Sequence, residues 1–336
     1  MPVEHSTAPA TDASARWYEV AGRSVVVRAE EPEVSDLVDG RFRALRSDQR
    51  PRADITVDIR RTGSRTPWPP APRGGRSPVY DAPEGHIDYF AGPDVLFVDY
   101  EQRARLRCAP ARGVIELGIA DTDPSADTLA THPLLTVALL ETMKRHLRFP
   151  VHAACVALDG RGLLVAGPSG AGKSTLATAL VRAGFGFLSD DLVFLELDGD
   201  HLTAHAFPDE VDLGQTSVAM FSELEALAGR QLRPGRQKHG FRIEDVFDVV
   251  PLATCRPTVL VTPSVDGGSD TRIDRRPPAE ILLELVPNVL LTEPVATQLH
   301  LDALAALSRG VPSFSVRVGH DLDTAADRLK DLLGEV

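Results

Sequence analysis

The side chains best suited to chemistry stand in the middle of this sequence, and the first set is a glycine-rich run. Gly167, Pro168, Ser169, Gly170, Ala171, Gly172, Lys173 and Ser174, with Thr175 next, follow the order of a phosphate-binding loop. The glycines let the chain turn tightly with its amides pointing inward, where they cradle phosphate oxygens. Lys173 brings a positive charge to the β- and γ-phosphates, and the Ser174 hydroxyl can bind Mg²⁺. A helix opening at Lys173 adds its positive N-terminal end. This is nucleoside triphosphate chemistry, with ATP and Mg²⁺ as the expected cofactors.

An acidic pair, Asp190 and Asp191, follows the loop, and His152 precedes it. Hydrolytic ATPases carry their acidic residues at the end of an apolar run. Here the pair comes before one, and no LSGGQ-like stretch follows, which argues against a transporter ATPase. Two neighbouring carboxylates can divide the work of group transfer: one holds the metal, the other takes the proton of an attacking hydroxyl. Adjacent strand residues point to opposite faces, so both reach one point only where the backbone bends. His152, one strand before the loop, is placed to orient or tune one carboxylate. A basic stretch over 229–242, punctuated by glycine and proline, suits a lid that brings Arg236, Lys238 or Arg242 onto the phosphates or an acidic acceptor.

The elements that must position these groups can be read around them. From about residue 150 strand-like runs alternate with helix-like ones, the pattern of an α/β core. Strands are expected at CVALD and GLLVAG, then a helix over 173–183 ended by Gly184, then one strand over 187–197 with the acidic pair near its start. A helix over 219–228, a strand at PTVLVTP and three further helices follow, the last over 324–333. Before the core, residues 126–147 read as a helix. Residues 15–125 read as a β-rich domain of short alternating strands with one helix, VSDLVDGRFRAL, and a long Pro/Gly/Arg-rich loop over 63–85. Residues 1–14 read as a disordered tail. The expected domains are thus 1–14, 15–125 and 126–336.

Composition bounds the partners. A formal net charge of −12 disfavours general nucleic-acid binding, which needs a basic surface. No apolar run is long enough to span a bilayer, and the N-terminus lacks a secretory pattern, so no membrane partner and a cytoplasmic location are expected. Three scattered cysteines show no metal-ligand spacing and read as buried or indifferent thiols.

Taken together, His152, the loop from Gly167 to Ser174, and Asp190 with Asp191 resemble the HPr kinase/phosphorylase family and its wider group of related proteins. Lys173 lies 21 residues after His152, and Asp190 lies 17 after Lys173, intervals similar to the family's own. The resemblance is clear over about 150–197. It implies an α/β P-loop kinase core like that of HPr kinases and phosphoenolpyruvate carboxykinases, preceded here by the β-rich α+β domain. It also implies phosphorylation of a serine hydroxyl. Carried over, Asp190 would be the base and would pair with His152, and Asp191 with Ser174 would serve Mg²⁺. Glu210, in the string Glu-Val-Asp-Leu-Gly, would be a second metal carboxylate. The sequence departs from the family at Thr175, where HPr kinases have an acidic residue, and at the alanines after His152. The acceptor is therefore left open among a protein, a peptide and a small metabolite. Oligomers are common in the group, and a homo-oligomer is left open too. So are reversal of the phosphorylation and a nucleotide-binding regulatory protein with a degenerate kinase core.

Overall fold

The structure, a computed structural model, describes residues 15–62, 67–70, 77–82, 85–92, 94–101, 103–120, 133–199, 201–207, 209–228, 238–265, 270–286, 295–319 and 321–336. It is a mixed α/β fold built on two large sheets.

The first sheet takes β1 (Ala15–Val20), β2 (Arg23–Ala29), β3 (Ile55–Thr62), β4 (Ser77–Ala82), β5 (Gly85–Ala91), β6 (Leu96–Tyr100), β7 (Ala104–Ala109) and β8 (Val114–Ala120), in the order β1-β2-β3-β8-β7-β6-β5-β4. β3 runs parallel to both β2 and β8, while the other neighbours are antiparallel. The parallel step needs a crossover, supplied by α1 (Pro32–Phe42). Proline suits the first turn of α1, where its missing N–H costs nothing. Val34, Val38 and Phe42 then recur every four residues and bury one stripe against the sheet. The expected loop over 63–85 holds β4, which its proline-rich surroundings concealed.

The helix expected over 126–147 is α2 (Leu135–Arg145) among the described residues. Leu134, Leu135, Ala138, Leu139 and Met143 pack into the core of the first sheet, and so do Phe194 and Phe207 from far along the chain.

The second sheet contains β9 (Phe149–Val151), β10 (Ala153–Leu158), β11 (Arg161–Ala166), β12 (Gly186–Ser189), β13 (Val193–Asp198), β14 (His201–Ala206), β17 (Thr254–Val265), β18 (Arg272–Arg276) and β19 (Ser313–Val318). β11 is parallel to β17, and β17 to β19. Side-chain alternation separates two cores. Ala154, Val156, Leu163 and Val165 face one side, under α3 (Lys173–Arg182) and α8 (Leu322–Glu335). Cys155, Ala157, Leu164 and Ala166 face the other, under α6 (Pro278–Leu285) and α7 (Thr297–Gly310). Strands buried on both faces are nearly continuous in apolar residues, as these are.

α3 ends as expected. Gly184 takes a left-handed φ of 96°, its N–H reaches Val181 O, and Phe185 N–H reaches Leu180 O. α4 (Gln215–Val218) precedes the span expected as a helix over 219–228, which itself holds a 3₁₀ turn at Ser222–Leu224 and the short α5 (Glu225–Ala228). A two-stranded ribbon of β15 (Val211–Leu213) and β16 (His239–Phe241) flanks these pieces. The strand expected over 187–197 is two strands, β12 and β13, which pair with different neighbours. The chain bends between them, at 190–192.

Candidate functional site

The site forms where β11 ends and α3 begins. Gly167, Gly170 and Gly172 all have left-handed φ values, 143°, 83° and 96°, which a side chain would oppose. Gly172 immediately precedes α3, so the loop delivers the chain straight into the helix N-terminus. Pro168, Ser169 and Gly170 form its exposed rim. Lys173 is buried, and its ammonium donates to Gly167 O at 3.0 Å and Pro168 O at 3.3 Å. Burial lowers its pKa, while Asp191 and Asp190 oppose that shift. Thr175 Oγ1 donates to Ser217 Oγ at 2.9 Å, so it ties α3 to α4.

The acidic pair sits in the bend after β12, and this resolves the geometric difficulty posed by two adjacent strand residues. Asp190 is buried, and its carboxyl lies within hydrogen-bonding reach of the Ser174 hydroxyl. Its Oδ2 accepts from Asp212 N–H at 3.4 Å. Burial pushes Asp190 up to about 7, the Ser174 hydroxyl pulls it back, and the Asp191 carboxylate pushes it further up. Asp191 is exposed, and its Oδ1 lies 3.2 Å from His152 Nδ1. His152 was expected to pair with Asp190; the structure pairs it with Asp191, because the bend turns only the second carboxylate toward the start of β10. Burial lowers the His152 pKa, Asp191 opposes this, and Lys173 and Lys238 add to the lowering. A neutral His152 at pH 7 donates Nδ1–H to the Asp191 carboxylate.

Lys238 is near enough for its charge to act on both His152 and Lys173. Arg236 lies outside the described residues. Arg242 Nη2 donates to Gly40 O, at the end of α1, at 3.0 Å. Glu210 lies near the site with Asp212 of the same Glu-Val-Asp-Leu-Gly string. A Cβ on Gly240 would stand 2.6 Å from Glu210 Oε2 and 3.1 Å from Asp212 Oδ1, so the two carboxylates flank that glycine. The alternation of buried Val211 and Leu213 was the available signal, since it puts Glu210 and Asp212 on the same face.

Whether these residues suit Mg²⁺ can be judged from the oxygens. Asp190 Oδ1 is buried and without a hydrogen-bond partner among the described residues, an atom that a cation would satisfy. Ser174, Asp190 and Asp212 bring hard oxygen donors together. The described residues include no ready-made group of three or more His, Cys, Asp or Glu ligands. Mg²⁺ does not ask for one, since it takes one or two carboxylates and fills its shell with water and phosphate oxygens. The residues fit.

Residues 120–226 match the SynChlorMet cassette protein ScmC family. HPr kinase/phosphorylase of Ralstonia pickettii is 31% identical over 91 residues, which cover 25% of this chain and 28% of that protein. The same enzyme of Ralstonia nicotianae gives the same figures. This chain thus spans just over a quarter of the length of these relatives. Among solved structures, the HPr(Ser) kinase/phosphatase of Coxiella burnetii aligns at 16% identity and a TM-score of 0.28, over 56% of this chain and 99% of its own. No helix among the described residues is long and apolar enough to cross a membrane. Over the aligned segment, this chain is similar to HPr kinase/phosphorylases.

Proposed function

We propose that this protein is an ATP- and Mg²⁺-dependent kinase with a P-loop core, which transfers the γ-phosphoryl group to an alcohol, most simply a serine hydroxyl. The observation that carries the reading is one juxtaposition: the three-glycine loop with Lys173, and beside it the His152–Asp191 pair. A loop alone binds nucleotide; a carboxylate held by a histidine at its mouth adds a proton acceptor for an incoming hydroxyl.

Burial assigns the two carboxylates. Asp191 is exposed and held by His152, so an acceptor hydroxyl can reach it and give up its proton there. Asp190 lies behind Ser174 with an unsatisfied oxygen, so together with Ser174 it would hold the metal, and Asp212 stands next to it. This exchanges the roles that the family resemblance implied. Mg²⁺, when bound, neutralises charge on the β- and γ-phosphates. Lys173, released from the Gly167 and Pro168 carbonyls, holds phosphate oxygens, and the loop amides orient them. Lys238 adds positive charge near His152 and Lys173. The names of the relatives point to a protein acceptor, HPr, which makes HPr, serine peptides and free serine the first acceptors to try.

Equilibrium binding of a fluorescent ATP analogue tests the nucleotide half of this reading. Lys173→Ala should weaken binding by at least tenfold while leaving the thermal midpoint within a few degrees of the parent. Unchanged affinity in that variant would refute the loop as the phosphate site.

A further inference from the structure

The helix of the first sheet reaches the candidate site. Phe42, at the end of α1, packs its ring 5.9 Å from that of Phe207, and Phe207 O accepts from the Ser189 hydroxyl at 2.6 Å, one residue before Asp190. Arg41 forms an ion pair with Asp209. Asp209 Oδ1 in turn accepts from Glu210 N–H at 2.8 Å, which fixes the turn into β15. Gly40 O accepts from Arg242, which directly follows β16. Three consecutive residues of α1 thus hold the approach to β15 and the exit from β16. That ribbon pairs Asp212 with Gly240, and Asp212 N–H is the donor that reaches Asp190.

α1 is itself well anchored. Val34, Val38 and Phe42 are buried in the first core. Asp39 accepts from the Tyr18 hydroxyl of β1 at 2.9 Å and from Arg46 at 2.5 Å. A helix held this firmly can transmit position and not only cover a surface. The ribbon it holds is short and, among the described residues, joined to the second sheet by no strand pairing, so it needs outside support to keep a carboxylate in place.

The geometry points to α1 as a strut that positions the acidic ribbon: Arg41, acting through Asp209, is a positioning residue for Asp212 and Asp190. The first sheet is then a working part of the phosphate site and not an appended module. Group transfer is sensitive to misplacement of about 1 Å, so a carboxylate on a loosened ribbon serves it poorly. The strut rests on the kinase reading only for its consequence, since the contacts stand without it.

The test uses the full-length chain and two readouts. The first is amide hydrogen exchange in peptides covering 207–213. The second is the gain in ATP affinity on adding Mg²⁺. Arg41→Ala should raise exchange in that segment by at least tenfold, with exchange in β10 and β11 unchanged, and reduce the Mg²⁺-dependent gain by a similar factor. The charge swap Arg41→Asp with Asp209→Arg should recover most of both. Exchange over 207–213 that stays at the parent level in Arg41→Ala would overturn the proposal. So would a rise spread evenly over the chain, which marks a merely structural contact. A parent protein that gains no ATP affinity from Mg²⁺ would count against the kinase reading alone, and the exchange arm would still decide the strut.

Discussion

At the scale of residues, the two carboxylates of the acidic pair differ through burial and partner more than through sequence position. Asp190 is enclosed and pushed up to about 7, and Asp191 is open and bonded to His152. Substitution separates them. Asp191→Asn keeps the size and the nucleotide site and removes the proton acceptor, so ATP affinity should hold while turnover falls by about 10²–10⁴. Asp190→Asn removes a charge beside Ser174, so the Mg²⁺ dependence of ATP binding should weaken, as titration with and without the ion will read. His152→Ala should shift the pH profile of turnover, because the ring that orients Asp191 is gone. The loop was legible from sequence because its rule is local: eight consecutive residues specify it. The pairing of His152 was not, because it depends on a bend at 190–192 that breaks what reads as one apolar strand.

At the scale of elements, the buried histidine of α7 shows how the second sheet is closed. His300 Nε2 donates to Pro150 O of β9 at 2.9 Å, and its ring stacks 5.5 Å from Phe149. Burial holds its pKa down at about 4, helped by the charge of Lys144, against the hydrogen bond to Pro150. The unfolded chain protonates a histidine near pH 6.5 and the folded one does so only near 4. Between these values the unfolded state binds more protons, so stability falls as pH falls from 6.5 toward 4. The loss is roughly 3 kcal/mol for one group with this shift. Urea titrations across that range should show the slope in the parent and a flatter line in His300→Gln. Strand and helix periods foretold most elements here, including α3 with its Gly184 end. They failed at β4, which is hidden among prolines and glycines, and over 219–228, where helix-forming residues are split by a 3₁₀ turn at Ser222–Leu224.

At the scale of the whole molecule, the two sheets share side chains. α2 gives Leu135, Ala138, Leu139 and Met143 to the first core, and Phe194 of β13 and Phe207 join them. Arg148, just before β9, donates from Nε to Ala21 O at 2.9 Å and pairs with Glu196 at 2.6 Å. A fragment of residues 126–336 would expose the apolar face of α2 along with Phe194 and Phe207. It should be poorly soluble or bind a hydrophobic dye, and the full chain should unfold in one transition by calorimetry. Two separate transitions, with a well-behaved fragment, would contradict this coupling. None of it could be read from the sequence, because the Arg242–Gly40 hydrogen bond spans 202 positions and no periodicity reports such a contact.

The central claim is that this site moves a phosphoryl group from ATP to a hydroxyl. The most direct measurement incubates the purified full-length protein with ATP and Mg²⁺ and a panel of HPr, serine-containing peptides, free serine and free threonine, and reads the acceptors by mass spectrometry. The account predicts one added phosphate on an acceptor, dependent on Mg²⁺, absent with Lys173→Ala and strongly reduced with Asp191→Asn. Transfer that survives Lys173→Ala or Asp191→Asn at the parent rate, or that needs no Mg²⁺, would contradict it.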